Sequence, residues 1–278
     1  MKTTHKIIFG NSRIELCKIE PRSIDLIITS PPYYNRKNYG HKNQIGFNQT
    51  YEEYLSSLKA IIEELEVILS PGRKLCINIG DLYFKTQKDS PYHILSLSSD
   101  IYQICKKYTE LIYHGAIIWQ KICKTKPSGG VNGRFMGSYP YPTNGIVTYD
   151  YEYILIFKRD GASKKVSKEI KELSKLSKKK WEEYFNGHWN IPGDKNSKHP
   201  ATFPLEIPYR LIQMYSFVGE TVLDPFLGSG TTTLAAKLLK RNSIGIELNK
   251  ENYWPEIQNK IQFNNPGIHN EYQFILEG

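Results

Sequence analysis

Residues 29–33 read Thr-Ser-Pro-Pro-Tyr and close the apolar run Ile24-Asp25-Leu26-Ile27-Ile28. Pro31 and Pro32 lack N–H donors and hold φ near about −65°, so a strand cannot continue through them. The chain must leave a sheet stiffly at this point, aiming the Ser30 hydroxyl, the Pro31 carbonyl and the Tyr33 ring outward from the strand's carboxyl end. In open α/β sheets that edge binds ligands. Two hydrogen-bond acceptors beside a stacking ring suit a planar base that carries an amino group. A strand and a proline turn would explain Pro-Pro by itself; the flanking serine and tyrosine point to chemistry.

A second cluster lies near the other end, Val222-Leu223-Asp224-Pro225-Phe226-Leu227-Gly228-Ser229-Gly230-Thr231-Thr232. It falls between an expected strand and an expected helix. Glycines 228 and 230 let backbone approach a ligand closely, and the helix N–H groups beyond them can meet a carboxylate. A dinucleotide fingerprint would need a third glycine where Thr233 stands, and no Gly-Lys-Ser/Thr is present to cradle a phosphate. Glu247 ends the next expected strand, where an acidic side chain can accept both hydroxyls of a ribose.

Ser30-Pro31-Pro32-Tyr33 resembles the target-base motif of the DNA amino-methyltransferases, in the form typical of their N4-cytosine branch. Asp224-Pro225-Phe226-Leu227-Gly228-Ser229-Gly230-Thr231 is similar to the S-adenosylmethionine loop of the same family, and further likeness covers most of the chain, with residues 122–200 the least well matched. The resemblance implies a Rossmann-like α/β methyltransferase fold of seven mostly parallel strands with a terminal antiparallel hairpin. It also implies a circular permutation, since the target motif precedes the cofactor motif, the order of the β group. Glu247 would hold ribose, and Phe203-Pro204 would form a wall on the methionine side; apart from the resemblance, Phe203 reads as ordinary core. Phe9-Gly10-Asn11-Ser12 is similar to a cofactor-side turn that usually carries Asp where this chain has Asn11.

The implied chemistry is methyl transfer to an exocyclic amine, whose lone pair is delocalised into the ring. The enzyme must orient that nitrogen and accept its protons. Ser30 Oγ and Pro31 C=O serve this, with Tyr33 stacking on the base. Serine is no base near neutral pH, so its role is orientation. A duplex hides the amine, so double-stranded DNA would be bound with its target nucleotide flipped out. Methylation at cytosine C5 commonly uses a Pro-Cys thiolate, whereas Cys17, Cys76, Cys105 and Cys123 follow leucine or isoleucine. N6-adenine methylation on the same fold is the alternative reading, and a non-catalytic DNA-binding module a more distant one. A cognate restriction endonuclease is an expected functional partner.

The elements that must position these residues follow from the apolar pattern. Strands are expected at 6–9, 23–29, 74–79, 112–120, 151–158, 221–223 and 243–247. Helices are expected at 12–18 (a turn or two), 51–69, 97–108, 204–215, 231–239 and from about 250, with Pro71-Gly72 stopping the second and Pro255 starting or bending the last. Asp81 could line the site or cap a helix. Residues 1–121, 151–158 and 200–278 would form the catalytic domain. Residues 122–150 and 159–199, a glycine-rich loop with Arg134 and a basic segment, would recognise DNA.

At 278 residues the chain can bury one large α/β core. Its net charge of +9 suits a polyanion partner, and the charge is concentrated. From Lys158 to Lys180 stand ten basic and three acidic residues, a surplus of seven. At 100° per residue, Lys164, Lys168, Lys171, Lys175, Lys178 and Lys179 share one helical face, opposite Val166, Ile170, Leu173, Trp181 and Tyr184. No apolar run approaches the roughly 20 residues of a membrane span. Met1-Lys2-Thr3-Thr4-His5 lacks a signal peptide's apolar core, and the scattered cysteines suggest neither a metal site nor disulfides. A cytoplasmic location is the expectation.

Overall fold

The computed structural model describes residues 2–35, 38, 40–84, 93–121, 136–137, 141, 143, 145–147, 149–193, 204–263 and 271–278. Its strands are β1 (Thr3–Phe9), β2 (Ile24–Thr29), β3 (Leu69–Ile79), β4 (Leu82–Phe84), β5 (His93–Leu95), β6 (Leu111–Lys121), β7 (Met136–Gly137), β8 (Gly145–Ile146), β9 (Tyr151–Arg159), β10 (His188–Ile191), β11 (Thr221–Asp224), β12 (Asn242–Glu247) and β13 (Tyr272–Glu277). The helices are α1 (Ser12–Glu15, extended by a 3-10 turn), α2 (Tyr51–Ile68), α3 (Leu97–Tyr108), α4 (Lys168–Leu173), α5 (Lys178–Tyr184), α6 (Glu206–Tyr215), α7 (Thr231–Leu238) and α8 (Lys250–Ile261).

Nine strands form one sheet in the order β10-β6-β9-β3-β2-β11-β12-β1-β13. Only β9 is reversed, pairing antiparallel with β3 and β6; the other pairings are parallel. The expected seven strands are therefore the centre of a larger sheet, and the β6–β9 hairpin lies one strand in from an edge. The extra strands, β10 and β13, are the two edges. In β10 only Trp189 and Ile191 are buried, and β13 pairs alongside β1 after α8, where the expected strands had already ended.

Alternation along the central strands loads both faces. Ile27, Leu75, Ile77, Leu155 and Leu223 pack under α2 and α3, while Leu26, Ile28, Cys76, Ile154 and Val222 pack under α6 and α7. On β1, Ile7 and Phe9 pack with Ile257 and Ile261 of α8. The result is three layers, helix on sheet on helix.

Helix α2 begins with a full capping box, Thr50 accepting from Glu53 N while Glu53 accepts from Thr50 N, and buries Leu58, Ile61, Ile62 and Leu65. Its last carbonyls are held by Arg159, whose Nη1 donates to the oxygens of Glu66 (2.6 Å), Val67 (2.9 Å) and Leu69 (2.5 Å). The helix thus turns straight into β3 at Leu69. Pro71-Gly72 falls inside that strand rather than ahead of it. The pairing with β2 shifts register there, between Leu69 and Lys74, and a bulge tolerates a proline that a regular ladder would reject. Pro255 lies in the second turn of α8, past the first-turn position.

The basic segment is not one helix. Ser167 caps α4 by accepting from Ile170 N (3.3 Å), and Ser177 caps α5 by accepting from Lys180 N (3.3 Å). The break between them interrupts the helical period, so the lysines do not share the face of one continuous helix. Nor is the opposite side buried throughout: Tyr184 is, but Leu173 and Trp181 are exposed.

Candidate functional site

The crossover from β2 runs through α2 to β3, and the crossover from β11 runs through α7 to β12 on the other side of the sheet. Chain direction across the sheet therefore diverges between neighbours β2 and β11. A crevice at the carboxyl ends of two such strands is the expected ligand site of an open α/β sheet. A cleft opens there. Ser30 and Pro32 form one wall; Pro225 to Ser229 and Thr231 form the other, with Glu247 at the end of β12, Asn249 beyond it and Asn11 after β1.

Glu247 is buried, and both carboxylate oxygens hold backbone: Oε2 accepts from Gly228 N (2.9 Å) and Oε1 from Asn249 N (3.0 Å). Burial pushes its pKa up to about 7, with the Asp224 charge adding and the backbone N–H groups opposing. Each oxygen keeps a lone pair for a further donor. Gly228 sits at φ +54, and the Phe226 carbonyl oxygen, 4.0 Å from its Cβ position, is the nearest neighbour there, which suits close approach to its backbone. Asn11 Oδ1 caps α1, accepting from Arg13 N (3.0 Å), while the residue still borders the cleft.

Asp224 and Gly230 do not line the cleft. Asp224 is 2% exposed and turns inward, Oδ2 accepting from Thr232 Oγ1 (2.6 Å) and Oδ1 from Phe226 N (3.1 Å). It fastens the loop to the start of α7. Burial raises its pKa to about 6 against those hydrogen bonds. Gly230 is the left-handed N-cap of α7 (φ +85), and its bare Cα faces Ile257 and Ile261 of α8. Pro204 precedes α6, its carbonyl accepting from Ile207 N (3.0 Å), away from the cleft wall. Phe203, Arg134 and Cys123 lie outside the described residues.

On the target side, Ser30 and Pro32 reach the cleft, while Pro31 is buried beside Leu58, Ile61 and Ile62 of α2. Tyr54 Oη donates to the Pro32 carbonyl (2.9 Å), fixing the turn. The Tyr33 hydroxyl accepts from Gly80 N (2.8 Å). Burial and the facing Glu152 charge hold its pKa well above the usual phenol range.

Behind Ser30 stands a polar group that motif reading missed. Asn78 Nδ2 donates to Glu152 Oε2 (2.7 Å) and lies 3.5 Å from Ser30 Oγ, and Lys121 pairs with Glu152. The amide nitrogen must face the carboxylate, since the reverse orientation would set two acceptors together. Asn78 is next to last in β3, Glu152 second in β9 and Lys121 last in β6. Adjacent strands assemble the group, and the only local signal was Asn78 in Asn78-Ile79-Gly80-Asp81. Asp81 itself caps α3, Oδ1 accepting from Ser98 N (3.1 Å) and Ser98 Oγ (2.9 Å). The Cys76 and Cys105 thiols, both buried, are pushed up to about 12 by burial.

The profile of the DNA methylase family (N6_N4_Mtase) matches residues 24–258. The type II methyltransferase M.MjaI of Methanocaldococcus jannaschii is 36% identical over 99% of this chain and 98% of its own length. M.MthZI of Methanothermobacter thermautotrophicus is 35% identical over 94% of this chain and 77% of its own. Among solved structures, TTHA0409 of Thermus thermophilus, complexed with S-adenosyl-L-methionine, superposes with a TM-score of 0.78 at 30% identity, covering 99% of this chain and 98% of that one. The cytosine-N4-specific PvuII DNA methyltransferase shares the fold, with a TM-score of 0.67 at 20% identity over 97% of this chain and 90% of its own.

Proposed function

The chain belongs to the DNA methylase family, and we propose that it is a site-specific DNA methyltransferase that moves a methyl group from S-adenosylmethionine to the exocyclic N4 of cytosine. The observation that carries this reading is the single cleft shared by Ser30 and the Gly228–Glu247 pair. A neutral acceptor on one wall faces a ribose-type carboxylate on the other. Residues and donor fit each other: Glu247 has lone pairs to spare, Gly228 leaves room for backbone contact, and Ser229 and Thr231 offer hydroxyls. S-adenosylmethionine, when bound, supplies an electrophilic methyl group on a sulfonium.

The chain's own residues then do three things. Glu247 and the loop after β11 hold the donor. Ser30 Oγ accepts a hydrogen bond from the target amine, turning its lone pair out of conjugation with the ring. The Pro31-Pro32 turn, tied down by Tyr54, keeps Ser30 from moving as it does so. The amine's surplus proton leaves to solvent after transfer, since serine does not hold it near neutral pH. Tyr33 stacks on the base in this reading, and the base reaches the cleft flipped from duplex DNA.

Cytosine is preferred to adenine because the acceptor is Ser30, where the adenine enzymes more often carry aspartate. Nucleosides from DNA incubated with the enzyme and analysed by mass spectrometry should contain N4-methylcytosine. N6-methyladenine as the product would overturn the base assignment and leave the donor and fold as they are.

DNA is held, in this proposal, by residues 122–150 and 159–199 around a catalytic domain of 1–121, 151–158 and 200–278. Arg159 is occupied by the α2 carbonyls, so the phosphate contacts fall to lysines. Lys168, Lys171 and Lys175 are exposed, and the Lys175–Glu172 pair (3.1 Å) is too solvated to compete strongly. Neutralising all three should flatten the log–log salt dependence of DNA affinity by up to roughly three units. An unchanged slope would make this surface merely solvated and put the phosphate contacts elsewhere. No helix among the described residues is long and apolar enough to cross a membrane. The proposal sets the enzyme in the cytoplasm with a cognate restriction endonuclease as its functional partner.

A further inference from the structure

Lys260, near the end of α8, reaches into the loop after β11. Its Nζ donates to Ser229 Oγ and to Thr231 Oγ1 (3.1 Å); Glu256 Oε1 is more distant, at 3.7 Å. Both hydroxyl-bearing residues are more than nine-tenths buried, and both border the cleft. The approach is fixed by packing, because Gly230 lies against Ile257 and Ile261 of the same helix. A Cβ at 230 would meet those isoleucines at 3.5 Å, ordinary contact, so a side chain there would be strained chiefly by its φ of +85.

The chemistry of this contact has a direction. An ammonium carries three donors and no acceptor, so it must donate into each hydroxyl oxygen. Each oxygen so occupied turns its own hydrogen away from the cation. Ser229 Oγ and Thr231 Oγ1 are 3.3 Å apart, so one hydroxyl can donate to the other, and the second keeps its hydrogen for a ligand in the cleft that both residues border. A fixed positive charge stands behind that donor, and the α7 N-terminus, capped by Gly230, lies beside it. Such a pocket favours an anion.

Within S-adenosylmethionine the adenine and ribose are neutral, and the sulfonium and ammonium are cations. Its carboxylate alone fits. Resting on the cofactor reading above, we propose that Lys260 is a positioning residue for the methionyl carboxylate, acting through the hydroxyls of Ser229 and Thr231. It thereby sets which end of the donor lies over α7 and, by its length, where the methyl group falls relative to Ser30.

Two donor-like ligands separate this from a structural role. S-adenosylhomocysteine carries the carboxylate; 5′-methylthioadenosine has the same adenosine and thioether without the amino acid. In calorimetry on the full chain, Lys260→Met should weaken S-adenosylhomocysteine by about tenfold, the scale of one hydrogen bond to a charged group, and leave 5′-methylthioadenosine unchanged. Lys260→Arg should recover part of the loss. Retained binding of 5′-methylthioadenosine also certifies the fold of the variant. An equal loss for both ligands would make Lys260 a mere brace for the loop, and no loss for either would remove it from the site; each outcome overturns the proposal. A wild-type protein that binds neither ligand would overturn the cofactor reading itself.

Discussion

Ser30→Ala is expected to lower single-turnover methyl transfer by about 10²–10³-fold, on the scale of deleting one oriented oxyanion-hole donor, while cofactor affinity stays close to wild type. The two effects separate because Ser30 borders the cleft on the β2 wall, whereas Gly228 and Glu247 stand on the β11–β12 wall. Only the interaction with the amine strengthens as the nitrogen becomes tetrahedral, so the loss should appear in the chemical step. The hydroxyl is small, and its removal leaves Pro31, Pro32 and the Tyr54 brace untouched. Some activity should survive, because the donor and the base keep their other contacts in the cleft. Rapid-quench transfer of a labelled methyl group to saturating duplex measures the step, and no covalent enzyme–DNA adduct should form. Transfer at the wild-type rate would refute the role of Ser30.

What could be read in the sequence was whatever local backbone chemistry dictates. Two prolines force an exit from β2, and Thr50 with Glu53 start α2. Glycines 228 and 230 both take positive φ, in keeping with a loop no ordinary side chain would permit. Side-chain direction at a strand end was less legible. Asp224 and Glu247 each end a strand as an acid, yet Asp224 turns into the protein and Glu247 to the cleft edge. The difference depends on where each strand stops relative to the loop packed on it. Helix period also misled in the basic segment, because it continues across Ser174 and Ser177 only if serine behaves as a helix former. Both serines sit at helix ends instead.

The Asn78–Glu152–Lys121 group was hidden for another reason. Its members come from the ends of β3 and β6 and the start of β9, and the strand order that makes them neighbours is a property of the whole sheet. The same holds for Lys260, nearly thirty positions from Thr231 and brought to it only by the packing of α8 on Gly230.

Glu247→Ala should weaken S-adenosylmethionine by roughly 1.5–3 kcal/mol, the range for hydrogen bonds to a charged group. Two losses contribute. The ribose hydroxyls lose their acceptor, and the N–H groups of Gly228 and Asn249 lose the carboxylate that holds the loop. The pH dependence gives a finer test. With a pKa raised from 4.5 to about 7 by burial, the free protein holds this carboxyl partly protonated at neutrality. Between those values the folded chain binds more protons than the unfolded one. Glu247 therefore favours the fold in acid, and that contribution is lost as pH rises through about 7. Cofactor binding has the opposite sign, because the ionised form is the stronger acceptor and offers both oxygens to the ribose hydroxyls. Affinity should climb as pH approaches 7, level off above it, and be accompanied by proton release on the acid side. Calorimetry on both sides of pH 7, in buffers of different ionisation heat, measures both quantities. Glu247→Gln should bind weakly with that pH dependence abolished. Unchanged affinity in the alanine variant, with the fold intact, would remove Glu247 from the site. A flat profile in the wild type would mean instead that its carboxyl is already ionised before the cofactor arrives.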